Sequence, residues 1–196
     1  MELQSETLLD IFRRTGAYLK GHFRLTSGLH SPEYLQCALV LQHPGHAEAC
    51  GRALAAALEA KVGVKPDVVV SPALGGLIIG HEVARAFGVR HIFTERDADR
   101  KMTLRRGFSV RAGEKAVVIE DVITTGGSSK EVVELLTAAG VEVVGAGSVI
   151  DRSGGQAELG VPRAALATLE VITYEPGSCP LCAAGEPVVK PGSRPV

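Results

Sequence analysis

Residues 117–129, VVIEDVITTGGSS, place two adjacent carboxylates, Glu120 and Asp121, just ahead of a run of hydroxyls and glycines: Thr124, Thr125, Gly126, Gly127 and Ser128. Carboxylates accept hydrogen bonds, so the pair suits the vicinal hydroxyls of a ribose or the water shell of Mg2+. The glycines let a backbone approach a ligand closely. The run opens a helical pattern, and the free N–H groups of a helix start favour an anion. Together these residues suit a sugar phosphate. The GK[ST] ending of a phosphate-binding Walker loop is missing, and so is GxGxxG. A structural use competes: Ser128 and Glu131 have the spacing of a capping box. Two like charges side by side at a strand end are costly without a purpose, which favours the ligand.

Three further stretches carry candidate chemistry. In SPALGG, 71–76, the chain turns from an apolar run into a helix at Gly75 and Gly76; the glycines serve either a close ligand or close helix packing. In ERDADRKMTLRRGF, 95–108, Arg96, Arg100, Lys101, Arg105 and Arg106 face Glu95, Asp97 and Asp99. Such a run is usually a solvated face. In VIDRSGG, Arg152 lies in a Gly-rich turn, where a surface arginine is the plain expectation.

The cysteines are Cys37, Cys50, Cys179 and Cys182. Four are too few for a disulfide scaffold in 196 residues. The C-x2-C at 179–182 is half a zinc site. Cys37, Cys50 or a histidine would have to complete it, and no second knuckle spacing exists, so two free thiols in a tail turn are the favoured reading. The six histidines form no metal-binding spacing. His81 suits helix packing, and His30 is the one worth testing.

The elements that must position these residues follow from periodicity. Helical spacing covers 5–20, with Leu8, Ile11, Phe12 and Leu19 on one face. FRLTSGLHSPEYLQC, 23–37, alternates around Gly28 and Pro32 and predicts a hairpin. An Ala-rich helix follows over 46–60. Strands are expected at 66–71, 90–95, 115–120, 141–150 and 165–172, with helices at 75–88 and 128–140 ending at Gly88 and Gly140. Strands alternating with helices predict an α/β fold whose mostly parallel sheet is covered on both faces. Glu120 and Asp121 then sit at the carboxyl end of a strand, where such sheets bind ligands. The tail from Tyr174 is rich in Pro and Gly and is expected to be irregular.

Hydrophobic content of 45% with 22% charge indicates a globular chain. A formal charge of −1 and the absence of Trp argue against nucleic acid as a partner. The acidic start of MELQSETLLDIFRRTG lacks an apolar signal core, and no run is long enough for a bilayer, so no membrane association and a cytoplasmic location are expected.

VVIEDVITTGGSS resembles the phosphoribosyl-diphosphate signature of the type I phosphoribosyltransferases. FRLTSGLHSPEYLQC, SPALGG, the basic loop and VIDRSGG extend the resemblance over Phe12 to Arg194 and direct it to the orotate-specific branch. The resemblance implies one domain over 1–196: a hood over about 1–40, a core over about 45–172 and the tail 174–196. It implies Mg2+-dependent transfer of ribose 5-phosphate from phosphoribosyl diphosphate to N1 of orotate, in pyrimidine biosynthesis. It gives Glu120 and Asp121 the ribose hydroxyls, and Thr124, Thr125, Gly126, Gly127 and Ser128 the 5′-phosphate. Ala73, Gly75 and Gly76 face the diphosphate. The loop 95–108 becomes a lid, shared across a homodimer, with Arg96 and Lys101 as catalytic cations beside Asp121, and Arg105 behind them. Arg152 meets the base under the hood, near Tyr34 and Leu35. No direct protein ligand to a metal is assigned. The chain departs from the family pattern where Thr26 and Gly75 replace lysines, and where KMT at 101–103 replaces Lys-Asp-His. The competing functions are a purine phosphoribosyltransferase and a regulator that binds phosphoribosyl diphosphate without catalysis. The hood motif and the VIDR turn argue against the first. The absence of a nucleic-acid-binding extension argues against the second.

Overall fold

A computed structural model describes residues 5–25 and 27–191. Thr26 and Arg194 lie outside the described residues. The central sheet has six strands in the order β5-β4-β3-β6-β7-β8. They are β3 (Val68–Pro72), β4 (Arg90–Arg96), β5 (Met102–Leu104), β6 (Lys115–Ile123), β7 (Glu142–Asp151) and β8 (Arg163–Thr168). All neighbours run parallel except β4 and β5.

The strands are apolar on both faces because both faces are covered. Val69, Val117 and Ile119 pack beneath α3 (Pro44–Val62) and α4 (Gly76–Phe87). Val68, Val70, Ala116 and Val118 pack beneath α5 (Gly127–Ala138). Helix α3 starts on Pro44, buries Ala47, Cys50, Leu54 and Leu58, and stops at Gly63 in a left-handed conformation. Gly51 of α3 lets α4 come close: a Cβ there would lie 2.4 Å from Glu82 Cβ and 2.7 Å from its backbone carbon.

A second, two-stranded sheet is the hairpin of β1 (Tyr18–Arg24) and β2 (His30–Leu35), bulged between Lys20 and Phe23. Helix α1 (Ser5–Arg14) precedes it, and α2 (Cys37–Leu41) returns the chain to the core. The tail adds a 3-10 turn at Pro176–Ser178 and α6 (Pro180–Ala183). It also bonds to the hairpin at both of its ends, through Tyr174 to His30 and Val189 to His22 and Arg24.

Four expectations need correction. The first helix ends at Arg14 and Gly16 turns the chain at φ 68°, so Leu19 lies in β1. Strand β6 runs through Glu120 and Asp121 to Ile123, because β7 pairs alongside it as far as Asp151. The 95–108 run is not one loop: β5 folds back on β4 through a turn closed by Arg100 N–H to the Asp97 carbonyl at 3.1 Å. The last strand stops at Thr168, and Ile172, expected inside it, is exposed.

The α3–α4 contact generates a stability prediction. Gly51→Ala meets backbone that cannot swing aside, so it should cost about 1–3 kcal/mol. A denaturation midpoint equal to that of the parent would refute the close approach.

Candidate active site

The winding reverses between β3 and β6, which are neighbours in the sheet, and open α/β sheets form their ligand crevice beyond the strand ends at such a point. The turn after β3 is Ala73 to Gly75, and α4 begins at Gly76. Ala73 N–H donates to the Thr94 carbonyl at 2.9 Å, and the Ala73–Leu74 peptide is cis. The turn after β6 is Thr124 to Gly126, and α5 begins at Gly127.

The turn after β3 meets β6 at Asp121. A Cβ on Gly75 would lie 2.4 Å from Asp121 Oδ1, so the carboxylate occupies the space any side chain at 75 would need. Asp121 Oδ1 accepts from Val122 N–H at 2.8 Å. Burial raises the Asp121 pKa above the ordinary carboxylate value, against the lowering effect of backbone hydrogen bonds. Glu120 is held by Ser129, whose hydroxyl donates to Oε2 at 3.3 Å. The sequence reading missed Ser129, which is buried at the end of the hydroxyl run.

The turn after β6 is built from close packing and positive φ. Gly126 has φ 79°, and a Cβ there would meet Leu159 Cδ2 at 2.6 Å. No side chain caps α5. The capping box is absent because Gly126 is the N-cap, which leaves Ser128 inside the first turn. Glu131 is instead gripped by both terminal nitrogens of Arg96, at 2.8 and 2.9 Å. Thr124, Thr125 and Gly127 are exposed around the turn, and Ser128 is half-buried.

Arg96 therefore braces β4 against α5, and it also bonds the Arg100 carbonyl. Arg106 pairs with Glu95 at 2.7 and 2.8 Å. Lys101 and Arg105 are exposed, and neither forms an ion pair among the described residues. The structure thus separates the predicted lid cations into a bound brace and two that face solvent.

On the other side of the crevice, Arg152 N–H donates to the Ile123 carbonyl at 2.8 Å, which ties the VIDR turn to the end of β6. Buried Asp151 pins the turn by pairing with Arg163 and accepting from Ser153 N–H at 2.8 Å and from its hydroxyl at 2.6 Å. The Arg152 guanidinium lies 5.8 Å from the centre of the Tyr34 ring. Its Nε is buried and has no hydrogen-bond partner among the described residues. Burial lowers the Arg152 pKa from its ordinary value and raises that of Tyr34. A cavity of about 100 Å³ opens where Tyr34 and Leu35 of the hairpin meet Arg152, Leu169 and Glu170.

Two carboxylates at a switch point, a helix start without a side-chain cap and a half-buried arginine beside a hairpin thus line one crevice. Comparison with known proteins identifies the family. The phosphoribosyl transferase domain profile matches residues 38–160. The orotate phosphoribosyltransferase of Heliobacterium modesticaldum is 54% identical over 192 residues, 98% of this chain and 100% of that one. The chain belongs to the orotate phosphoribosyltransferase family. The Chlorobium phaeobacteroides orotate phosphoribosyltransferase is 55% identical over 187 residues, 95% of each chain. In structure, orotate phosphoribosyltransferase from Aeropyrum pernix aligns with TM-score 0.68 and 25% identity, covering 83% of this chain and 94% of that one. The fold is thus a type I phosphoribosyltransferase fold, with a mostly parallel sheet flanked by helices.

The contact between Gly75 and Asp121 yields a test. Gly75 has φ −56° and ψ −40°, which alanine adopts freely. Gly75→Ala should therefore spare the fold while displacing the carboxylate, and reduce kcat/KM roughly tenfold or more. Unchanged turnover with unchanged stability would show that the carboxylate position does not matter.

Proposed function

We propose that the chain transfers ribose 5-phosphate from phosphoribosyl diphosphate to N1 of orotate, releasing pyrophosphate, through the residues assembled above. The observation that carries the base assignment is the buried Arg152 Nε without a partner, beside Tyr34. An unpaired buried donor costs free energy, and a planar pyrimidine carrying a carboxylate repays it with a charge-assisted hydrogen bond.

In this reading the first-turn N–H groups of α5, with Thr124, Thr125, Gly126, Gly127 and Ser128, hold the 5′-phosphate. Glu120 and Asp121 accept hydrogen bonds from the ribose hydroxyls, and their charge favours the positive sugar that forms as the C1–O bond loosens. Ala73, Gly75 and Gly76 offer backbone to the diphosphate. Lys101 and Arg105 of the β4–β5 lid stabilise the leaving group, while Arg96 stays on Glu131 as the brace. Lid closure excludes water that would hydrolyse the activated sugar. No covalent nucleophile takes part.

The carboxylate oxygens of Asp121, which meet the turn after β3, and of the adjacent Glu120 are hard donors suited to the water shell of Mg2+. When bound with the activated sugar, Mg2+ supplies charge neutralisation at the diphosphate. The same reading makes the enzyme a homodimer sharing its lids, acting in the cytoplasm in pyrimidine biosynthesis. No described helix is long and apolar enough to cross a membrane.

Two outcomes follow. Assayed against orotate, adenine, hypoxanthine, guanine and uracil with phosphoribosyl diphosphate and Mg2+, the chain should consume orotate. Arg152→Ala should raise KM for orotate, at a cost of about 2–3 kcal/mol, with little change for the activated sugar. Equal losses in both would sink the assignment.

The second outcome concerns pH. Asp121 must be ionised to act, and its folded pKa is raised, so protonation on acidification begins at a higher pH than for an ordinary carboxylate. The acid limb of kcat should lie correspondingly high. Asp121→Asn should reduce kcat about 10²–10³-fold and abolish that limb. An Asn variant that keeps the parental acid limb would assign it to another group.

A further inference from the structure

The hairpin and the tail bring together four side chains that the transferase site does not use. His22 and His30 of the hairpin and Cys179 and Cys182 of the tail place one ligand atom each within 4.8 Å of all the others. Cys179 Sγ and Cys182 Sγ lie 3.6 and 3.7 Å from His22 Nε2. Cys182 Sγ lies 3.3 Å from His30 Nδ1, and the two ring nitrogens are 2.8 Å apart. Around a tetrahedral Zn2+ with ordinary bond lengths, sulfur–nitrogen separations are about 3.6 Å and nitrogen–nitrogen separations about 3.3 Å. Three of the four distances are already within a few tenths of an ångström of that geometry. The fourth needs the rings to part by about half an ångström to reach it.

The surroundings fit a metal as well as the distances do. His22 Nδ1 lies 2.8 Å from the Glu186 carbonyl, so that nitrogen carries the proton and donates it, leaving Nε2 with its lone pair directed at the cysteines. Two thiolates and two neutral imidazoles make a neutral site with a divalent cation, the balance that burial requires. His22, His30 and Cys179 are buried, while Cys182 is exposed and gives an entry path.

Apolar packing does little to hold the tail where it is. Between residues 171 and 191, Cys179 is the only buried side chain, and Val188 and Val189 are largely exposed. Apolar burial therefore contributes little there. Yet the tail makes paired backbone bonds at both ends, 2.8–2.9 Å between Tyr174 and His30 and 2.8 Å from Val189 to His22 and from Arg24 to Val189. The Cys pair lies between these two attachments.

We propose that His22, His30, Cys179 and Cys182 form a structural Zn2+ site that staples the tail to the hood hairpin. The site is closed, with four protein ligands and no open position, so its role is to fix the hood and not to take part in phosphoribosyl transfer. The C-x2-C pair, which by spacing alone is half a site, is completed by two histidines about 150 residues away in the chain. A set of two sulfurs and two nitrogens at tetrahedral separations selects Zn2+ over the oxygen-seeking Mg2+ of the transferase site.

The test is metal content on reduced, full-length, tag-free protein offered Zn2+ and then dialysed. It should retain about one equivalent of zinc per chain. Co2+ in its place should give the visible spectrum of a tetrahedral thiolate complex. Removing zinc with a strong chelator should lower the melting midpoint by roughly 5 °C or more and expose the tail to protease. Cys182→Ser, at an exposed position, and His22→Gln should each lose the zinc, whereas Cys50→Ala should keep it. Retention below about a tenth of an equivalent by the parent would overturn the site. Zinc content in Cys182→Ser equal to the parent's would do the same, as would a Co2+ spectrum without thiolate character. None of these readouts depends on turnover, so they stand or fall separately from the transferase reading.

Discussion

Strands β3 and β6 are neighbours although a helix, two other strands and the lid separate them in sequence. That adjacency brings the turn after β3 against the end of β6 so closely that Asp121 fills the space beside the Cα of Gly75. The remaining features of the crevice depend on this contact. It fixes the Asp121 carboxylate near the end of β6 and sets the path of the backbone from Ala73 to Gly75.

Charge is distributed across the crevice with the acids in the middle and the cations at its edges. Glu120 and Asp121 lie at the centre, Arg152 on the β7 side, and Lys101 and Arg105 on the lid at the β4–β5 side. A substrate with a positive centre developing between an anionic leaving group and an anionic base has the opposite order. Ion pairs do the positioning. Arg96 with Glu131 braces the lid to the phosphate helix, and Asp151 with Arg163 holds the turn that carries Arg152. Both pairs join neighbouring elements, so each aligns a functional residue without occupying the crevice.

Most of the core was legible because parallel strands buried on both faces are short apolar runs, and the glycines at 88 and 140 mark real helix ends. The glycine–hydroxyl turn after β6 was legible because its residues are contiguous. What the sequence concealed is long-range or depends on a neighbour. Ser128 and Glu131 have capping-box spacing, but Gly126 takes the N-cap position in a left-handed conformation, and Glu131 pairs with an arginine 35 residues earlier. Strand β6 continues through two acids, against their low strand propensity, because β7 is there to pair with it. Leu19 fits a helical face but follows Gly16, whose positive φ ends the helix first. The histidines near the C-x2-C pair have no informative spacing, since their proximity arises from the tail folding back across the hairpin.

The hood is where these long-range contacts carry the most consequence. A two-stranded hairpin is marginal alone, so its position over Arg152 must come from its attachments. At one end Leu35 and Cys37 enter the core, and Gln36 N–H bonds the Ala17 carbonyl at 2.9 Å. At the other end, around His22 and His30, the attachments come from the tail through backbone bonds and the histidine–cysteine cluster. Tyr34 lies in β2 between the two anchors. The distance between its ring and the Arg152 guanidinium is therefore set jointly by the apolar core and by a polar tail that buries almost nothing. A change at the tail can move Tyr34 relative to Arg152 while leaving the half of the crevice built on β3 and β6 as it is.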